Sequence, residues 1–134
     1  GEPLYPFGHG LSYTRFGYSG LALDRRRTAA GEPVRVEVTV KNEGQRAGDE
    51  VVQLYVRGPQ REGAPLKELR GFQRVHLQPG ESRKVGFVLD PARDLRHYDT
   101  AASAYVVAPG EYEIQAGASS ADIRARTTLT VTRD

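Results

Sequence analysis

Three histidines, seventeen acids and a few serines are the residues of this chain whose types suit acid–base, nucleophilic or metal chemistry. His9, His76 and His97 stand far apart, and neither their spacing nor their neighbours match the closely spaced ligand pairs that zinc favours. No metal and no cofactor is expected. Ser12, Ser82 and Ser103 lack the strand–turn–helix setting of a nucleophile elbow. Gly8-His9-Gly10 has no strand before it and no helix after it, so it is not a phosphate loop. The acids fall in ordinary places. Asp49 and Glu50 flank a turn and a strand start, Glu111 and Glu113 share the outward face of one strand, and Asp94 and Asp99 flank His97 in a short loop. His97-Tyr98-Asp99 reads as a loop histidine bonded to its neighbours. No catalytic residue is expected.

The elements that would position such groups are short and alternating. Val34-Arg-Val-Glu-Val-Thr-Val40 is the clearest: four valines fall on one face, with Arg35, Glu37 and Thr39 on the other. Further strands are read at 18–23, 50–56, 68–77, 83–89 and 124–131, with 104–107 and 111–117 forming a hairpin across Ala108-Pro109-Gly110. Asn42-Glu43-Gly44, Ala47-Gly48-Asp49 and Gln78-Pro79-Gly80-Glu81 carry turn chemistry, and a short helical turn fits only in 92–99. No helical apolar stripe of useful length is present. Seven or eight strands of this spacing predict an all-β fold: an antiparallel, immunoglobulin-like sandwich over residues 18–134. With no Cys and no Trp, the antibody type of core is excluded, whereas a fibronectin type III-like core needs neither.

Ahead of the sandwich stands an irregular arm, residues 1–17. Its stretch Pro3–Phe16 holds Tyr5, Phe7, Tyr13 and Phe16 but one formal charge, Arg15, and its two prolines and the Gly8/Gly10 pair forbid a regular helix or a long strand. So apolar a segment is expected to lie on a surface. Net charge is only +2, with acids interspersed among the cations, and Arg25-Arg26-Arg27 reads as a solvated turn, so no nucleic-acid partner is expected. No run approaches the ~20 apolar residues of a membrane helix, and no membrane partner is expected.

Several of these blocks resemble one family. Pro3-Leu-Tyr-Pro-Phe-Gly-His-Gly-Leu-Ser-Tyr-Thr-Arg-Phe16 is similar to the segment that precedes the C-terminal domain of glycoside hydrolase family 3 enzymes, the β-glucosidases and β-xylosidases. Ala47–Val56, Leu66–Phe72, Leu77–Glu81 and Pro109–Tyr112 resemble, in the family's order, its fibronectin type III-like domain. His9 stands where the family more often has Tyr, and the Pro109-to-Tyr112 spacing is one residue shorter than in ordinary fibronectin type III repeats. The resemblance implies a retaining glycosidase as parent. Its Asp nucleophile would lie on a β/α barrel and its acid/base Glu on a second α/β domain, with carboxyls about 5–5.5 Å apart. A Ser-Asp-Trp nucleophile neighbourhood needs a Trp that this chain lacks.

The resemblance therefore implies a non-catalytic structural domain whose partners are the barrel and α/β domains of the same parent polypeptide. Leu4, Tyr5, Phe7, His9, Leu11, Tyr13 and Phe16 form an interdomain contact, or an arm whose tip (Phe7–Gly10) reaches a pocket edge. Burial of Leu4, Phe7, Leu11 and Phe16 would contribute ~1.5–3 kcal/mol each. The alternative is a carbohydrate-binding module using aromatic side chains. Tyr55 is read as the exposed candidate on the sandwich, Tyr112 as core, and Tyr5 and Tyr13 as arm candidates.

Overall fold

The period-two valines centre the core. The computed structural model describes residues 14–59 and 67–133. Its strands are β1 Phe16–Leu23, β2 Arg27–Ala29, β3 Val34–Asn42, β4 Gly48–Arg57, β5 Glu68–Leu77 and β6 Ser82–Leu89. A single helical turn, α1 Pro91–Asp94, precedes β7 Arg96–Asp99, β8 Ala104–Val107, β9 Gly110–Ser119 and β10 Asp122–Thr132. One sheet has the order β1-β3-β6 and the other β2-β10-β9-β4-β5, while β7 and β8 pair with each other as a third, two-stranded sheet. The architecture is the expected β-sandwich.

Val34, Val36, Val38 and Val40 are all buried, facing Val52, Leu54 and Val56 of β4, Ile114 and Ala116 of β9, and Leu129 and Val131 of β10. Each of the Val, Leu and Ile side chains among them contributes ~1.5 kcal/mol or more by leaving water. The core forms two clusters, one around Leu54, Ile114 and Leu129 and the other around Val38, Val52 and Leu77. Leu21 and Phe87 pack against both and join them.

Four expectations need correction. Ten strands are formed among the described residues, not seven or eight, because β2 and β7 are too short to show an alternation. β2 runs parallel to β10, the one departure from antiparallel pairing among these strands. The helical turn stops at Asp94, where Arg96–Asp99 becomes extended to pair with β8. Ala104–Val107 therefore does not form a hairpin with β9. Gly110 takes a positive φ of 136°. Tyr112 Oη donates to Ala108 O at 2.7 Å, and together these turn the chain so that β9 lies between β4 and β10. That bond has the form of a tyrosine corner, made here despite the shorter Pro109-to-Tyr112 spacing.

The most connected polar residue is Asn42, fully buried at the end of β3. Its Nδ2 donates to Arg46 O (2.7 Å) and Leu77 O (3.0 Å), and its Oδ1 accepts from Thr14 Oγ1 (2.5 Å) and Gly44 N (2.9 Å). Its backbone N–H donates to Glu81 O at 2.9 Å, and its carbonyl accepts from Gly80 N at 2.8 Å. All four side-chain sites of the amide are used. The expected turn residue is therefore a buried clamp between the two sheets, β3 on one and β5 on the other.

Asn42→Ala is expected to lower the free energy of unfolding by about 1–3 kcal/mol, because the buried Leu77 carbonyl and the part-buried Arg46 carbonyl lose their donor. Asn42→Asp keeps the shape but turns that donor into an anion against two carbonyls, and it is expected to be no better. Urea melts at neutral pH measure both; a loss below about 1 kcal/mol for Ala would mean that water substitutes for the amide.

Candidate functional site

The arm residues Leu4, Tyr5, Phe7, His9, Leu11 and Tyr13 lie outside the described residues. Phe16, grouped with them on sequence, opens β1 and packs half-buried on the core beneath Val38 and Val40. The point where the arm joins the sandwich is tied down. Thr14 bonds Asn42, Glu43 N donates to Arg15 O at 2.8 Å, and a Cβ at Gly44 would collide with Thr14. The close approach of 14–15 to 42–44 thus depends on glycine.

The chemistry-bearing residues do not converge. Asp49 and Glu50, neighbours on β4, point to opposite faces as strand geometry requires. Asp49 faces outward, 2.7 Å from Arg74 Nη2 and 2.5 Å from His76 Nδ1. Hydrogen bonds from His76 and then Arg74 hold its carboxyl below the usual aspartate range. Glu50 turns towards β1 and accepts from Tyr18 Oη at 2.9 Å. Burial pushes Glu50 above its ordinary value despite that bond. Burial and then the Glu50 carboxylate push the Tyr18 phenol up as well. Arg124 completes this group, 5.5 Å from the Tyr18 ring centroid, paired to Asp122 at 2.6 Å and donating to Phe16 O at 2.7 Å. The group joins β1 to β4 and β10 and so ties sheet to sheet.

The remaining acids do local structural work. Asp94 accepts from Asp90 N (2.8 Å) and pairs with Arg93 (2.8 Å), Asp99 accepts from Ala101 N (3.0 Å), and Glu113 accepts from Gln115 Nε2 (2.7 Å). Among the described residues no group of three or more His, Asp or Glu is placed to hold a metal ion. Of the triplet Arg25–Arg27, Arg25 pairs with Glu32 at 3.2 Å at the surface, as a solvated turn would.

The aromatic residues are placed differently from expectation. Tyr55 is buried, not exposed: its Oη donates to Gln53 Oε1 at 2.5 Å and Lys67 Nζ sits 5.5 Å from its ring centroid. The bulge of β5 opposite Leu54/Tyr55 brings Lys67 over the ring. The exposed tyrosines are Tyr98 and Tyr105, packed edge-to-face at 5.3 Å across β7 and β8. They border a cleft of about 440 Å³ that also meets Arg70, Arg93 and His97. The cations around it are already engaged. Arg93 pairs with Asp94, Arg70 Nε donates to Asp94 O at 2.6 Å, Lys67 Nζ donates to Ser120 O at 2.6 Å, and Arg96 lies 4.2 Å from the Tyr105 ring centroid. Sequence reasoning missed this pair. The turn residues 100–103 between two Tyr-bearing runs were the signal available for a hairpin there.

A second feature escaped it too. Phe72 of β5 and Val88 of β6 are 67% and 51% exposed, and both line a groove between the edges of the two sheets, with Val36, Gly71, Gly86 and Phe87.

A family model for the fibronectin type III-like domain matches residues 50–120. Thermostable β-glucosidase B of Acetivibrio thermocellus is 46% identical over 123 residues, a stretch that is 91% of this chain and 16% of that protein. Among solved structures, a β-glucosidase of Erythrobacter marinus superposes with a TM-score of 0.82 at 46% identity, over 96% of this chain and 17% of its own. A GH3 β-glucosidase of Bifidobacterium adolescentis gives 0.80 at 37% identity, over 95% and 18%. The chain thus spans less than a fifth of the length of these relatives.

Asp49 and Glu50 are expected to give stability opposite pH dependences. Glu50 holds its proton more tightly folded than unfolded, so its contribution falls as pH rises from 4.5, its unfolded value, through the raised folded value. Asp49 contributes stability above its unfolded 3.8 that is lost as pH falls through the lowered folded value. Glu50→Gln keeps an acceptor for Tyr18 and is expected to leave stability at pH 7 equal or higher while flattening the decline above pH 4.5. Urea melts from pH 3 to 7 read this out; a Gln variant less stable at pH 7 would show that the Glu50 charge is net favourable.

Proposed function

The chain belongs to the fibronectin type III-like domain family, and from that membership we propose that it is the non-catalytic C-terminal structural domain of a retaining β-glucosidase-like glycoside hydrolase. The parent would cleave terminal β-linked sugars in carbohydrate catabolism. The observation that carries the reading is the pattern of similarity. Relatives described as β-glucosidases match over 84–98% of this chain but only 14–20% of their own length. The internal structure agrees with a supporting role, since its half-buried and buried carboxylates, Glu50 and Asp94, are engaged in bonds that hold strands and a helical turn together.

In this reading the sandwich packs against the catalytic barrel and α/β domain of its own polypeptide. The arm, with Leu4, Tyr5, Phe7, His9, Leu11 and Tyr13, fills the seam between them, and its glycines let the tip at Phe7–Gly10 approach a pocket edge. The anchoring of Thr14 on Asn42 supports this, because it fixes where the arm meets the sandwich. The carbohydrate-binding alternative needs an open row of rings. Among the described tyrosines, Tyr55 and Tyr112 are buried, Tyr18 is bonded to Glu50, and the two exposed ones, Tyr98 and Tyr105, pack edge-to-face on each other with Arg96 against the Tyr105 ring, which makes a pair rather than a row.

A parent polypeptide truncated just before Leu4 is expected to melt at lower temperature and to lose activity; unchanged melting and turnover would end the structural reading. The purified chain alone is expected to hydrolyse no aryl-glucoside and to show no retardation by soluble glucans in affinity electrophoresis. Turnover by the fragment would overturn the non-catalytic assignment, and retardation would favour the binding module.

A further inference from the structure

The cleft of about 440 Å³ beside the β7–β8 hairpin has the size of a site for a small molecule. Its walls are fixed without a ligand. Arg70 Nε, on β5, donates to Asp94 O of α1 at 2.6 Å and joins one wall to the other. Tyr112, buried where it borders the cleft, is held by its bond to Ala108 O, and a Cβ at Gly58 would press on its ring at 3.2 Å.

The charge left over in this cleft is positive. Two acids line it, and both are paired, Asp94 with Arg93 and Glu68 with Arg70. Lys67 and Arg96 line it too, and neither has an acid partner among the described residues. The Lys67 ammonium is directed to Ser120 O and Gln115 Oε1. Arg96 is different. Its guanidinium lies 4.2 Å from the Tyr105 ring centroid and makes no hydrogen bond or ion pair among the described residues. Stacking occupies the flat face of a guanidinium and leaves its N–H donors, which lie in the plane, open to a bidentate acceptor. The stack also restrains a long side chain, so less freedom is lost when an anion docks.

Beside that fork stand two uncovered rings. Tyr98 and Tyr105 are 52% and 59% exposed, and their hydroxyls have no partner among the described residues. The register of the hairpin sets Tyr98 opposite Tyr105, with Arg96 two residues before Tyr98 on the same face. The rings meet at 80°, and such a corner suits one ring of a ligand better than a chain of them. The free fork calls for an anion, and the rings call for a cyclic body.

We propose that this cleft binds a carboxylate carried on a six-membered ring, the anion held by Arg96 and the ring set against Tyr98 and Tyr105. Aromatic acids and sugar acids share that chemistry. Neutral glucans have the ring without the anion and do not fill the site. Such a site is independent of the domain's structural role.

NMR titration of the 134-residue chain with benzoate, glucuronate, acetate and methyl glucoside tests this. At least one ring acid is expected to give saturable shifts on the amides of 96–98 and 104–106 with a Kd of about 1 mM or below, and the acid that binds identifies the source. Acetate, an anion without a ring, and methyl glucoside, a ring without an anion, are expected to bind about tenfold more weakly or not at all. Arg96→Gln is expected to weaken the acid by about tenfold, Arg96→Lys to recover little because an ammonium has the charge but not the fork, and Tyr98→Ala to weaken it by about threefold. Both side chains are exposed, so the variants should melt within about 2 °C of the wild type. No saturation by either ring acid at about 20 mM would overturn the site. So would acetate binding as tightly as the ring acids, or full affinity retained in both Arg96 variants and in Tyr98→Ala.

Discussion

One buried amide sets the geometry of a whole end of this sandwich. Asn42 is the point where β3 stops, the 42–48 connection starts, β5 ends and the β5–β6 turn closes, and its amide and backbone groups bond to the connection, to β5 and to the turn. An apolar residue of the same size would leave two carbonyls and two donors without this partner, the Leu77 carbonyl in a buried place. An exposed asparagine would serve the turn but hold nothing together. The polar group is retained because its bonds are directional. Valine packing tolerates small slips between sheets, whereas four hydrogen bonds to one amide do not.

That constraint also explains why neighbouring side chains can be electrostatically unlike. With the end of β3 fixed against β5, the register of β4 is fixed too, and Asp49 and Glu50 are committed to opposite faces. One accepts hydrogen bonds from exposed His76 and Arg74 and becomes a better acid; the other is pressed between β1 and β4 and becomes a weaker one. Neither arrangement assembles a reaction centre. Asp49 ties β4 to its neighbour β5 within one sheet, Glu50 ties β4 to β1 across the layers, and Arg124, reaching from β10 to the carbonyl of Phe16, also bridges the layers.

Much of the framework was legible in the chain. Val34–Val40 reads as a strand because half-burial imposes a period of two, and that period is a local property. The same holds for Val52, Leu54 and Val56 and for the turn at Pro79-Gly80. The illegible parts depend on partners distant in sequence. Ala104–Val107 has the composition of a strand, but nothing local says that it pairs with Arg96–Asp99 rather than with β9. Tyr55 lies on the face that alternation assigns to solvent, yet it is buried among Gln53, Gln115 across on β9 and the overhanging Lys67. Asn42 carries a turn signature, correctly, yet its burial comes from Leu77, thirty-five residues away. The arm was read as a contact surface from its composition; of its named residues Phe16 alone is described, and it has become part of the sandwich.

The exposed residues complete the same argument from the other side. A core of branched aliphatic side chains explains why the domain folds, but not why Phe72 and Val88 flank a groove that glycines keep clear. Stability of the isolated sandwich gains nothing from a bare phenylalanine at mid-edge, and solubility loses by it. Asn42, bonded to Leu77 at the end of β5 and to Gly80 and Glu81 in the turn that leads into β6, holds those two edge strands in place.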